Sequence, residues 1–352
     1  MPDWTKSMLQ SFEYYVVNPN TWEDSYRLNN IKACSITRDS TTDTLGSATF
    51  EAVGLLGESY IRAYLITIQN GLTERHPLGT YLVQTPSSSF DGKIRSASMD
   101  AYSPLVELKE NLPPYGYMTA KDSDIMATAY ELASEHMRAP VIKPVNEKKL
   151  NNNFIANTDD TWFSYIADLV QNADYIFDLD EYGRIMFGIK TELEAMQPIW
   201  TYNDNNSSIL YPDMSLSHDL FGIPNVLEVI YSSNSSALYS IAENTDPTSP
   251  TSIPNRGRRI TQRITNPNLG GFPTQSSLDD YAKNALKEMS SIEYEVSYKH
   301  GYCPVRVGDC VRINYRNADM IDVKAKVISQ TIKCSTGCEV SEKAVYTAKL
   351  WR

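Results

Sequence analysis

Between positions 12 and 112 the chain is a succession of short β-favouring segments cut by turn residues, the spacing of a barrel or sandwich. Tyr14-Tyr15-Val16-Val17 ends at Asn18-Pro19-Asn20. Positions 31–36 alternate apolar and polar, 48–53 do so more loosely, and 61–68 are rich in Tyr, Ile and Leu. Breakers stand at Asp43-Thr44-Leu45-Gly46, at 54–57, and at Asn70-Gly71, a strong hairpin signal. A strand is expected over 79–84, then a polar stretch, then a turn at Phe90-Asp91-Gly92-Lys93 leading into 94–99. Pro113-Pro114 suits neither a helix interior nor a central strand and closes the segment.

The period changes from 118 to about 200. Asp122 or Ser123 caps a helix with the stripe Ile125, Ala129, Leu132 and Ala133, which Pro140 ends. A second helix from near Asp159 carries Trp162, Ile166, Leu169 and Val170 on one face. It hands over to Tyr175-Ile176-Phe177, a turn at Asp180-Glu181-Tyr182-Gly183 and a strand over 184–189, a small α+β part. Beyond 207 the pattern returns to strands, first over 225–231 and at the end over 311–315, 323–328 and 340–350. One helix is expected over 278–289, capped by Ser276 or Ser277. Positions 241–274, with five prolines and Arg256, Arg258 and Arg259, read as a long loop. The expected class is mainly β with α+β: two β-barrel-like domains, 1–114 and 205–352, joined by an α+β domain at 115–204.

A length of 352 residues allows two or three domains, each with its own core. No apolar run approaches the roughly 18 residues of a membrane-spanning helix, so no membrane insertion is expected. The first ten residues lack the basic start and apolar core of a secretory signal, which points to synthesis and use from the cytosol. The net charge of -11 argues against a broad nucleic-acid-gripping face, because phosphate affinity comes from clustered Lys and Arg. The chain has 23 Tyr against 9 Phe and 5 Trp; the tyrosine ring with its polar tip suits surfaces buried in an assembly but wet at the rim.

Catalytic signatures are absent. The four histidines, His76, His136, His218 and His300, lie far apart, and there is no HExxH helix, GxSxG elbow, Walker loop or GxGxxG turn. Asp178, Asp180 and Glu181 could supply paired carboxylates, although their spacing resembles a solvated turn more. Cys303, Cys310, Cys334 and Cys338 could hold zinc or an iron–sulfur cluster, yet neither pair has CxxC spacing, and buried free thiols are the plainer reading. Arg256-Gly257-Arg258-Arg259 suits pairing with a carboxylate-bearing partner better than nucleic acid. No catalytic, cofactor-binding or metal residue is therefore assigned.

The order of elements resembles the baseplate hub proteins of bacteriophage tails and related contractile injection machines. Carrying the likeness are Cys34-Ser35-Ile36-Thr37-Arg38-Asp39 followed by Leu45-Gly46-Ser47-Ala48-Thr49-Phe50, Thr161-Trp162, and Glu181-Tyr182-Gly183-Arg184-Ile185. Further on come Ile223-Pro224-Asn225-Val226, the loop ending in Arg256-Gly257-Arg258-Arg259, and Val307-Gly308-Asp309-Cys310-Val311. The resemblance implies barrel domains joined by smaller α+β domains, assembled as a homotrimer. Two barrels per chain then give six similar units, which meet a six-fold tail tube on one side and a three-fold spike or tip on the other. Tube or distal tail protein, spike and tape-measure protein are the implied partners, and the location is the virion tail after assembly in the host cytoplasm. Because the chain ends at Lys349-Leu350-Trp351-Arg352, any lytic domain is expected on a separate protein. The acidity suggests a channel wall that lets genomic DNA pass without binding. Two other readings stand beside it, a tail-associated peptidoglycan hydrolase using the middle-domain acids and a receptor- or carbohydrate-binding tip.

Overall fold

Alternating small and large inward residues build the N-terminal strands. In this computed structural model, which describes residues 2–54, 56–189, 191–232, 237–267 and 274–348, they are β1 (Leu9–Val17), β2 (Asp24–Leu28), β3 (Ile31–Asp39), β4 (Gly46–Val53), β5 (Tyr60–Gln69), β6 (Leu72–Phe90) and β7 (Arg95–Tyr102). Their order is β3-β4-β7-β6-β5-β1-β2, with antiparallel neighbours throughout. Ala48, Phe50 and Ala52 of β4 stand opposite Ala101, Met99 and Ala97 of β7, so small side chains make room for Phe50 and Met99. The ring of Tyr14 on β1 meets that of Phe50 on β4 edge-on at 6.0 Å, although these strands are not sheet neighbours. The sheet therefore curls until its inner face meets itself, the barrel-like form expected. Asn70 and Gly71 sit at φ 52° and 79°, the left-handed pair a tight hairpin turn requires. β6 also absorbs the polar stretch after Gln84, where no strand is expected.

The middle segment holds α1 (Val106–Lys109), β8 (Met118–Thr119), α2 (Ile125–His136), β9 (Phe154–Ile155), α3 (Trp162–Gln171), β10 (Tyr175–Leu179) and β11 (Ile185–Ile189). Asp124 caps α2, its carboxylate accepting from Ala127 N, in place of Asp122 or Ser123. Thr161 and Ser164 form a capping box on α3. The expected stripes bury against each other and against Phe177 and Ile185 of the hairpin. The same cluster includes Val17, Tyr60 and Leu82 from the N-terminal strands and Trp22 from the link between β1 and β2. Pro113-Pro114 is thus a turn in the chain without being a break in the core.

The remaining elements are β12 (Trp200–Asn203), β13 (Leu210–His218), β14 (Val226–Ser232), β15 (Ala237–Glu243), α4 (Ile253–Arg256), β16 (Thr261–Thr265), α5 (Gln275–Met289), β17 (Ile292–Gly301), β18 (Cys310–Tyr315), β19 (Met320–Lys333) and β20 (Glu339–Ala348). β19 pairs antiparallel with β3, Ile332 opposite Ile36, so C-terminal and N-terminal strands share one 13-stranded sheet. Compact units consequently do not follow consecutive segments such as 1–114, 115–204 and 205–352. One unit joins Met1–Met214 to Tyr298–Ala344; the other comprises Ser215–Ser297 with the chain from Val345.

In the second unit β14 pairs antiparallel with β15 and parallel with β16, and α5 lays Leu278, Ala282 and Leu286 on Leu227, Val229 and Ala242. Thr274 caps α5, in place of Ser276 or Ser277. The segment read as a long loop is ordered over its described part by α4, by β16 and by a buried polar cluster. Asn244 Nδ2 donates to Ser249 Oγ at 2.9 Å, and Asn225 Nδ2 donates to Arg258 O at 2.9 Å. The terminal residues 349–352 and Pro273 lie outside the described residues.

Candidate functional site

Asp180-Glu181-Tyr182-Gly183 ties the middle hairpin to the N-terminal sheet. Asp180 accepts from Tyr182 N at 3.0 Å and Arg184 N at 2.8 Å and pairs with Arg184 Nε at 2.5 Å. That carboxylate is committed to its turn. The turn presents the Tyr182 carbonyl to three donors: Trp22 Nε1 at 2.8 Å, Thr80 Oγ1 at 2.8 Å and Arg62 Nη2 at 3.2 Å. Arg62 is buried; its Nε donates to Thr80 Oγ1 at 2.8 Å and its Nη1 pairs with Asp24 at 3.0 Å. Gly183 is required twice over, by φ +72° and because a Cβ there would lie 2.7 Å from Thr80 Cβ.

The other carboxylates of the hairpin face Arg306, which precedes the turn of Gly308 (φ 94°) into β18. Arg306 Nε pairs with Glu181 at 2.7 Å, its Nη2 donates to Leu179 O and lies 3.7 Å from Asp178, and its backbone N donates to Asp309 at 2.7 Å. Burial raises the pKa of Asp178, with Arg306 opposing, and burial likewise raises that of Asp309. These groups line a cleft of about 640 Å³ with Arg38, Phe163, Phe177 and Lys326. Two arginines thus hold the three acids, Arg184 on Asp180 and Arg306 on Glu181 and Asp178, an arrangement that holds a hairpin in place.

A second polar cluster left no trace in sequence. His300 and Glu342, both with 0% of their side chains exposed, approach at 3.3 Å. Gln330 Nε2 donates to Glu342 at 2.6 Å, Tyr202 OH donates to it at 3.3 Å, and Tyr298 OH donates to the same carboxylate. His300 Nδ1 lies 2.7 Å from Gly301 O. Burial opposes a charge on His300, but its contacts with Cys303 and Glu342 outweigh burial and lift its pKa to about 10. With its pKa lifted above neutrality, His300 keeps its second ring proton beside Glu342 inside the sheet. Periodicity could not show this, because the five side chains come from four separate segments.

The cysteines do not assemble as a four-thiolate site. Cys303 lies 3.4 Å from Tyr202 OH, within the His300 cluster. Cys334 N donates to Cys34 O at 3.0 Å, beside the one cysteine that the C-terminal grouping leaves out. Burial, with Cys334 adding to it, pushes the Cys34 thiol well up; burial also raises Cys310 and Cys338. Among the described residues no three His, Cys, Asp or Glu side chains are grouped to hold a metal ion. In the second unit Arg259 pairs with Glu243 at 2.5 Å and Arg256 donates to Leu220 O at 3.2 Å. Two of the three arginines expected to meet a partner therefore have partners in their own chain, while Arg258 is exposed.

This assembly of curled sheet, inserted α+β part and helix-backed small sheet is shared over almost its whole length by solved tail proteins. The tail protein from Neisseria meningitidis MC58 has 13% identity and a TM-score of 0.63 over 97% of this chain and 98% of that chain. The 43 kDa tail protein of prophage MuSo2 from Shewanella oneidensis has 10% identity and a TM-score of 0.62 over 95% and 98%. A chain of the Francisella PdpA-VgrG complex has 7% identity and a TM-score of 0.57 over 98% of this chain and 53% of that chain. No protein-family model matches, and no curated protein matches by sequence. The chain thus has a mainly β, hub-like fold shared with phage tail proteins and a VgrG complex, the fold that the resemblance implied.

Proposed function

We propose that this chain is a structural subunit of a phage tail, a homotrimeric baseplate hub between a six-fold tail tube and a three-fold spike or tip. The observation that carries the reading is end-to-end agreement of fold with two tail proteins, each covered to 98%. The hub works by holding shape, without turnover. In support, its most concentrated polar groups are spent on internal joints: Tyr182 O on three donors, Glu181 on Arg306, Glu342 on His300. The acidic chain leaves the DNA path without an adhesive wall, and the tube, spike and tape-measure proteins are its partners in the virion.

Light scattering tests the assembly. The expected mass is three times the 39.7 kDa of one chain, alone or on mixing with tube and spike proteins. A persistent monomer in both conditions overturns the hub.

A further inference from the structure

β3 and β19 run antiparallel, with Ser35 opposite Lys333. One step further the same register sets Cys34 against Cys334, and Cys334 N donates to Cys34 O at 3.0 Å. Residues facing each other at such a hydrogen-bonded position have Cα atoms about 5.5 Å apart, inside the roughly 4.4–6.8 Å that a disulfide spans. Facing residues also point to the same side of a sheet. Here that side is the interior: Cys34 and Cys334 are 7% and 8% exposed, and Cys34 stands across from Phe50, whose ring meets that of Tyr14. The two thiols and the Tyr14 phenol crowd one spot. Burial and then both cysteines raise the pKa of the phenol, as burial and then Cys334 raise that of Cys34. Both thiols are free in this structure.

We infer that Cys34 and Cys334 are a reversible thiol–disulfide pair, oxidised by a small peroxide to a cross-strand bond that fastens β3 to the end of β19. One thiol gives a sulfur electron pair to a peroxide oxygen as the O–O bond breaks, forming a sulfenic acid and one water. The second sulfur then attacks the first and the S–S bond forms. The sulfenic hydroxyl leaves with the remaining thiol proton as a second water. A dithiol returns the two electrons and restores both thiols. Position gives the bond its effect, since it joins strands from the two ends of the chain and closes a loop of about 300 residues. Cross-links that close long loops restrict the unfolded chain most. Cys334 lies one residue beyond β19, and the end of a ladder is where local opening admits a small oxidant. Cys338 competes for Cys334, which adds to the burial that raises the Cys338 thiol. A bond between those two would link nothing outside their own turn.

Treating the folded, reduced full chain with hydrogen peroxide tests it. After alkylation, two of the five thiols should be lost, and mass mapping of the digest should link the peptide of Cys34 to that of Cys334. The denatured chain should run faster on a non-reducing gel because its long loop is closed, and dithiothreitol should reverse all three changes. The thermal midpoint of the parent should rise on oxidation, whereas those of Cys34→Ser and Cys334→Ser should not, and neither variant should give the faster band. Five thiols retained, or a Cys334–Cys338 link with unchanged migration, overturns the pair. A rise in midpoint that persists in both serine variants overturns the fastening of β3 to β19. The peptide map of the parent decides the pairing even where a serine variant folds poorly, and every outcome leaves the hub reading untouched.

Discussion

Tyr182-Gly183 shows how a single backbone position can carry an interface inside one chain. Replacing Gly183 with Ala puts a Cβ against Thr80 and asks a left-handed backbone of an L side chain. Strain of this kind is worth about 1–3 kcal/mol, so the urea midpoint should fall by the corresponding amount. An unchanged midpoint would mean that the turn relaxes freely. His300 and Glu342 make a different demand. Removing one member of a buried pair leaves the other unpaired, and Glu342→Gln should destabilise by about 3–5 kcal/mol. The folded pKa of His300, about 10, lies above its ordinary 6.5. Its contribution is therefore full below pH 6.5 and lost as pH rises through about 10. Unfolding measured from pH 6 to 10 should show stability falling in the parent chain along a slope that His300→Gln flattens. Equal slopes would place the pair's charge elsewhere.

At the scale of elements, the joint between β10–β11 and the head of β18 depends on Arg306. Arg306→Ala should cost about 1–3 kcal/mol, and amide exchange should quicken in Tyr175–Leu179 and Ile185–Ile189 before it does in the 13-stranded sheet. Arg306→Lys should recover only part, since one ammonium cannot reproduce the guanidinium fork shared by Glu181, Leu179 O and Asp178. What the sequence discloses divides along this line. α2, α3 and α5 were legible because each buries one face, and that periodicity is local. β16 and α4 were not, since prolines and polar residues normally signal a loop. Here buried Asn225 and Asn244 take the place of an apolar core, with partners up to 35 positions away. The hairpin residues at 178–184 were visible as a group of acids, but their meaning lies in Arg306, Thr80 and Trp22, which no local window includes.

For the whole molecule, the Ile332–Ile36 pair governs: it makes one sheet of strands from both ends of the chain, and so sets the first unit. Order of elements revealed the class of fold, whereas linear composition could not reveal that the C-terminal strands return to the N-terminal ones. The charge belongs to this scale as well. A surface of net charge -11 repels phosphates over roughly the 8 Å Debye length of physiological salt. Lowering salt should therefore strengthen repulsion, where an ordinary DNA-binding protein gains affinity steeply through counterion release. Duplex DNA passed over the immobilised protein should show no retention at about 50 mM salt, and none should appear at about 200 mM. Retention that disappears as salt rises would reveal a basic, DNA-gripping surface and overturn the proposed non-adhesive channel. Cell-wall material incubated with the same preparation should release no soluble fragments. Sustained release abolished by Asp178→Asn or Glu181→Gln would instead make the Arg306 cleft a hydrolase site.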